Sequence, residues 1–233
     1  MGQRHVVVTG ASRGLGRAVA QVFHQRGDRV SLFARSRTEL EALAGELAER
    51  VSWFAGDISR RGEIDGAMAH FEAANGPVDI LVNNAGVGAY KAFLECTAEE
   101  LSLQVAVNVE GLVQVTHAVA PGMVKRGAGI IFNIASDLAR KPLPKMAVYT
   151  GTKHAVAGFS TSLARELKEH GVKVVLVNPG IINTHFGGNV PREATESWQL
   201  DPRELAELLA SLAEQPRNLL VDEITIHPMG QDF

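Results

Sequence analysis

Short runs of Val, Ile and Leu alternate with helix-patterned segments along almost the whole chain, and this alternation limits the fold more than any other feature. Apolar runs at 6–8, 29–33, 51–55, 80–82, 129–134, 173–177 and 223–226 read as strands. Helical patterns fill the spaces between them, at 15–26, 37–49, 64–74, 98–125, 147–170 and 202–214. The strands are continuous in apolar character rather than alternating, as expected of parallel strands covered on both faces. Strand–helix alternation with right-handed crossovers gives an α/β fold, a doubly wound parallel sheet of about seven strands with helices on both faces. A length of 233 residues suits one domain over 1–233, and no repeat or linker divides it.

Composition narrows the function classes. A net charge of −3 without a long basic tract gives no field for nucleic acid or an anionic membrane. No apolar stretch approaches the roughly 20 residues of a membrane helix. Cys96 is the single cysteine, so neither an internal disulfide nor a cysteine-built metal site is expected, and no metal is assigned. The apolar run begins at His5 without signal-peptide anatomy before it, so a soluble, cytoplasmic protein is expected.

Chemistry enters at the first strand–helix junction. Thr9-Gly10-Ala11-Ser12-Arg13-Gly14-Leu15-Gly16 is a glycine-rich turn between a strand and a helix. Backbone N–H groups and a helix dipole converge at such a point, and phosphate binds there. The spacing of Gly10, Gly14 and Gly16 differs from the common G-x-G-x-x-G, and glycines also serve plain turns. The end of the second strand selects the cofactor. Sites for NAD carry an acidic residue about 20 positions past the glycines to hold the ribose hydroxyls. Here the chain reads Ala34-Arg35-Ser36, with Arg37 following. A guanidinium suits a 2′-phosphate, and Arg13 can converge on the same group, so NADP(H) is the expected cofactor.

Tyr149 and Lys153 stand four apart on a predicted helix and so share a face. A phenol has an ordinary pKa of about 10, too high for a proton shuttle near neutrality. A neighbouring ammonium stabilises phenolate, and Lys153 is expected to lower the Tyr149 value in this way. Asn108 interrupts an otherwise apolar helical segment, which calls for a reason.

With these motifs the chain resembles the short-chain dehydrogenase/reductases over nearly its whole length. The resemblance rests on an ordered set: the glycine turn, Asp57, Asn83-Asn84-Ala85-Gly86, Asn108, Ser136, Tyr149-x-x-x-Lys153 and Pro179-Gly180. It implies a Rossmann-like fold and hydride transfer between NADP(H) and a small carbonyl or alcohol. Ser12, Arg13 and Leu15 would join the turn's glycines in binding the cofactor. Asp57 and Ile58 would flank the adenine. Asn83, Ala85 and Gly86 would line the cofactor and steady the sheet. Pro179, Gly180, Ile182 and Thr184 would run beside the nicotinamide. Tyr149 would be the general acid/base and Ser136 would hydrogen-bond the substrate oxygen. Lys153 would also hold the nicotinamide ribose, and Asn108 would hold a water relaying protons towards Lys153.

The substrate is less legible. Residues 181–200 would form a short lid containing His185, Phe186, Gly187-Gly188 and Trp198. Lys141 and Lys145 could meet a carboxylate, or be solvated loop residues, and His185 could be a lid surface residue. The terminus Glu223-Ile224-Thr225-Ile226-His227-Pro228-Met229-Gly230-Gln231 is more similar to NADP-dependent 3-hydroxy acid and serine-type dehydrogenases than to β-ketoacyl reductases ending in an Asp-Gly-Gly-like segment. Leu101, Val105, Leu112 and Val119 form one apolar stripe, widened by Leu103, Val107 and Val113, so a homodimer or homotetramer is expected through this helix and the one carrying Ala155, Gly158 and Ser162. Two other readings remain on the same fold: a non-catalytic NADP-binding sensor or scaffold, and a 3-oxoacyl-thioester reductase. Epimerase or dehydratase chemistry would want a larger C-terminal part.

Overall fold

The computed structural model describes residues 3–188, 190 and 198–231. Seven parallel strands form one sheet in the order β3-β2-β1-β4-β5-β6-β7. They are β1 (His5–Thr9), β2 (Arg29–Ala34), β3 (Val51–Ala55), β4 (Ile80–Asn83), β5 (Gly129–Ile134), β6 (Val172–Pro179) and β7 (Glu223–Ile226). The helices are α1 (Gly14–Gln25), α2 (Arg37–Leu47), α3 (Arg61–Asn75), α4 (Ala98–Val105), α5 (Leu112–Arg126), α6 (Ala147–Leu167) and α7 (Pro202–Ala213).

Side chains alternate across each strand, so the two faces bury different halves of the same runs. Val6 and Val8 of β1 pack with Val30, Leu32, Phe132 and Val177 under α1, α2 and α7. Val7 points the other way, with Phe33, Leu81, Ile131 and Val174 under α3, α5 and α6. Every strand of the sheet's centre is therefore apolar at consecutive positions, which is why the sequence shows continuous runs.

The order reverses at β1. From β1 the chain builds outwards to β2 and β3, then returns to place β4 on β1's other side. Connections leave in opposite directions there, and a crevice opens at the carboxyl ends of β1 and β4. The Thr9 hydroxyl at the end of β1 closes the floor of this crevice: Oγ1 accepts the backbone N–H of Asn84 (3.0 Å) and Ala85 (3.0 Å).

The helix expected over 98–125 is not continuous. α4 gives way to a π-helical segment over 106–111 before α5 begins. A π turn holds one more residue than an α turn, and such insertions occur often at functional sites. Asn108 sits inside it and is almost fully buried. The apolar arc also resolves differently from the expected stripe. Val107, Leu112 and Val119 are buried within the chain, while Leu103 and Val105 stay exposed on α4.

His5 and Thr9 are the buried polar residues of β1, and His5 is the titratable one. Its Nδ1 meets the Gly76 carbonyl (2.7 Å) and its Nε2 meets Ser31 Oγ (2.7 Å), beside Asn75 and Ser52. Burial pushes its pKa below the ordinary 6.5, partly opposed by the Gly76 carbonyl. The unfolded chain then binds a proton that the folded chain refuses, so stability falls as pH drops below about 6.5. The melting temperature should decrease between pH 7.5 and pH 5.5, and His5→Gln should flatten that decrease. An unchanged slope in the variant would contradict the assignment.

Candidate active site

A cavity of about 800 Å³ occupies the crevice. Its walls run from the turn after β1, past the ends of β2 and β4, to Ser136, Tyr149, Lys153 and the segment after β6.

The glycine turn makes one end. Gly10 and Gly14 have φ of +66° and +54°, values that L side chains rarely adopt. A Cβ at Gly10 would lie 2.9 Å from the Ala85 Cα, and one at Gly14 would lie 3.2 Å from the Thr184 methyl. The turn is thereby pressed between the β4 and β6 loops. α1 starts at Gly14 with no side-chain cap and no acidic residue in its first turn. By contrast, Ser36 caps α2, Thr97 and Glu100 form a capping box on α4, and Asp201 caps α7. The N–H groups at the start of α1 therefore face the cavity without an anionic side chain, a setting for phosphate.

Arg13 and Arg35 both line this end, with Ser36 and Glu39. Arg37 does not; its guanidinium stacks 5.0 Å from the centre of the Trp53 ring. Asp57 and Ile58 line the adjoining wall. Burial alone would raise the Asp57 carboxyl. The Ser59 backbone N–H (2.9 Å) and hydroxyl (2.8 Å), with the charges of Arg35 and Arg60, hold it below its ordinary value instead.

The other end carries Ser136, Tyr149 and Lys153, all buried. β5 delivers Ser136, and the first turns of α6 deliver the other two. Lys153 Nζ donates to the Ile134 carbonyl (2.8 Å) and lies 5.5 Å from the centre of the Tyr149 ring. Burial pushes its ammonium down to about 8. Burial also pushes the Tyr149 phenol above its ordinary range; the Ser136 hydroxyl opposes this and the Asp137 carboxylate adds to it. The net direction for Tyr149 is therefore upward, with desolvation as its largest cause, while Lys153 Nζ donates to a backbone carbonyl. Ser136 Oγ donates to Asp137 Oδ1 (3.0 Å) and accepts the Leu138 N–H (3.2 Å).

Most of the residues expected from sequence line this one cavity: Gly10, Ser12, Arg13, Gly14, Leu15, Arg35, Asp57, Ile58, Ala85, Gly86, Ser136, Tyr149, Lys153, Pro179, Gly180, Ile182 and Thr184. Three do not form its wall. Gly16 packs behind the turn, where a Cβ would run into the Gly10 carbonyl. Asn83 lies under the sheet's end, its amide donating to Thr116 Oγ1 (2.8 Å) and Asn133 Oδ1 (2.9 Å); the neighbouring Asn84 lines the cavity instead. Asn108 braces from behind. Its Oδ1 accepts the Val87 N–H (2.8 Å), and its amide donates to the Val87 carbonyl (2.8 Å) and Thr152 Oγ1 (3.0 Å). It thus ties the β4 loop to the helix that carries Tyr149 and Lys153.

His185, Phe186, Gly187 and Trp198 of the expected lid line the cavity, while 189 and 191–197 lie outside the described residues. The Phe186 ring is 5.4 Å from the Tyr149 ring. Lys141 and Lys145 do not line it; Lys145 Nζ sits 5.5 Å from the Tyr90 ring centre. Sequence reasoning missed Asp137, Met146 and Gln231. Asp137 was adjacent to an expected residue, but nothing local marks Gln231. It reaches the site through the C-terminal tail, donating to Asp137 Oδ2 (2.7 Å) and accepting the Ile181 N–H (3.0 Å).

A mononucleotide-binding crevice with a buried Tyr–Lys pair and a serine at the next strand end defines a class of nucleotide-dependent oxidoreductases. The sequence profile described as short chain dehydrogenase matches residues 4–195. An uncharacterized oxidoreductase of Staphylococcus aureus (strain N315) is 30% identical over 224 residues, covering 96% of each chain. A serine dehydrogenase solved in its closed form with NADP+ superposes with a TM-score of 0.92 at 29% identity, covering 98% of this chain and 96% of that one. The 3-ketoacyl-(acyl-carrier-protein) reductase of Brucella melitensis, solved with NADH, gives 0.88 at 30% identity, covering 96% of both. The chain belongs to the short-chain dehydrogenase family and is an oxidoreductase that binds NAD(P).

The buried phenol makes a distinctive titration. The chain has two tyrosines, so the wild-type minus Tyr149→Phe difference isolates Tyr149 in an alkaline ultraviolet titration. Its ionisation should fall above the ordinary phenol value of 10.0 in the protein without nucleotide. Ionisation below that value would contradict the burial argument.

Proposed function

We propose that the protein is an NADP(H)-dependent reductase or dehydrogenase interconverting a small ketone or aldehyde and its alcohol. The observation that carries this reading is the convergence of Ser136, Tyr149 and Lys153 on one end of a cavity whose other end is an uncapped helix start flanked by Arg13 and Arg35. NADP(H), when bound, supplies or accepts the hydride. Arg13 and Arg35 hold the 2′-phosphate, the start of α1 holds the pyrophosphate, and Asp57 and Ile58 flank the adenine. Pro179, Gly180, Ile182 and Thr184 line the nicotinamide end.

In reduction Tyr149 donates its proton to the substrate oxygen, and in oxidation it takes the proton back. Burial holds the phenol protonated in the protein without nucleotide, so the proton to be donated is in place at neutral pH, and bound nucleotide and substrate would have to bring its pKa down for efficient transfer. Ser136 positions the same oxygen. Lys153 would hold the ribose, and Asn108 ties the β4 loop to the helix that carries Lys153. Within the single domain, the lid residues His185, Phe186, Gly187 and Trp198 border the substrate end of the cavity. Exposed Leu103 and Val105 on α4 support a homodimer or homotetramer, and the protein acts in the cytoplasm. A sensor without chemistry would have no use for a buried lysine beside a buried phenol, both costly to bury.

Tyr149→Phe should lower kcat/KM for carbonyl reduction by about a thousandfold, within the range for loss of a general acid, while leaving the dissociation constant for NADPH within about twofold. Turnover near wild type would overturn the mechanism. Arg35→Asp should weaken NADPH by at least about tenfold, equivalent to about 1.4 kcal/mol, with NADH changed far less. Equal effects on both nucleotides would remove the 2′-phosphate assignment.

A further inference from the structure

The substrate end of the cavity carries a negative charge placed beside the reacting oxygen. Asp137 is buried, with 8% exposure, and follows Ser136 directly. Its Oδ1 lies 3.0 Å from Ser136 Oγ. A substrate oxygen hydrogen-bonded to Ser136 at about 2.8 Å therefore lies within about 6 Å of this carboxylate. The carboxylate is fixed from behind: Oδ2 accepts from Gln231 Nε2 at 2.7 Å, with His227 Nε2 at 3.6 Å. Gln231 is fixed in turn by the Ile181 N–H.

Among the described residues, Arg13 and Arg35 line the glycine-turn end, while Lys153 stands at the substrate end with its Nζ donating to the Ile134 carbonyl. The Phe186 ring stands against Tyr149, and among the described residues Tyr90, Leu143, Met146 and Trp198 also line the cavity, with His185 and Gln231. Asp137 Oδ2 keeps its donor from Gln231, and Oδ1 gives up the Ser136 hydroxyl when that group turns to a substrate oxygen, so the carboxylate faces the bound ligand with its charge. In a partly desolvated crevice that charge repels an anion several ångströms away.

Resting on the oxidoreductase reading above, we propose that Asp137 is a specificity-determining residue that selects uncharged ketones or aldehydes with an apolar or aromatic substituent and rejects carbonyl compounds bearing a carboxylate. Phe186, against the Tyr149 ring, supplies the aromatic wall. Gln231 makes the C-terminal tail part of this selection by holding the carboxylate in place.

The test uses a matched pair, methyl para-acetylbenzoate and para-acetylbenzoate, with NADPH at pH 8, above the ordinary histidine range. The wild type should reduce the ester with at least about tenfold higher kcat/KM than the acid. Asp137→Asn should shrink that ratio at least about fivefold, chiefly by raising kcat/KM for the acid. The two ketones differ in intrinsic reactivity, so the change in ratio, free of that difference, is decisive. An unchanged ratio, or a wild type that prefers the acid, would overturn the proposal. Asp137→Ser serves if the Asn variant does not fold. Affinities of the NADP+-loaded wild type for the two compounds, read by tryptophan fluorescence, separate this proposal from the one it rests on. Tighter binding of the ester without turnover would uphold the selectivity and overturn the hydride-transfer reading. Equal affinities would overturn the selectivity.

Discussion

The reversal of strand order at β1 is the constraint on which the rest of the molecule depends. A parallel sheet must send each crossover to one face, and where two neighbouring strands send theirs to opposite faces no helix covers their ends. β1 and β4 are those strands here. The gap holds its shape because Thr9 Oγ1 accepts two N–H groups from the β4 loop and because glycines let that loop and the β6 loop press on the turn. The glycine turn, the Asn84–Gly86 loop, Ser136 and the Pro179–Gly180 segment then follow carboxyl ends of neighbouring strands. Residues more than a hundred positions apart converge without any local signal that they should.

Burial gives the site its electrostatic character. Tyr149 and Lys153 are each pushed towards the neutral form, the phenol upwards and the ammonium down to about 8. Asp137 adds to the effect on the phenol and takes the hydrogen bond that Ser136 would otherwise offer freely. Engagement of a substrate oxygen requires Ser136 to exchange that partner. In the protein without nucleotide Tyr149 is therefore held in its protonated form.

Much of this was readable from sequence because it is periodic or locally punctuated. Continuous Val-rich runs gave the parallel sheet, and the Gly10, Gly14 and Gly16 spacing marked the turn. What escaped depends on long-range packing. Asn108 broke an apolar pattern, which flagged it, but only the structure shows that the break is a π turn and that the side chain braces Val87 and Thr152. Asn83 looked like part of the cavity because its neighbours are, yet strand alternation sends its side chain to Asn133 and Thr116. Gln231 lies 94 positions from its partner Asp137 and carries no motif. The sign of the Tyr149 shift also needed burial, since spacing on a helix reveals a neighbouring charge but not the solvent removed from both.

The central claim is direct hydride transfer between nicotinamide and a carbonyl carbon presented beside Tyr149. Mass spectrometry of the alcohol formed from methyl para-acetylbenzoate with NADPH doubly deuterated at the nicotinamide C4 tests it most directly. The account predicts one deuterium, bonded to the carbinol carbon and retained in water. Product without deuterium at that carbon, or none formed under conditions where both ligands bind, would contradict it.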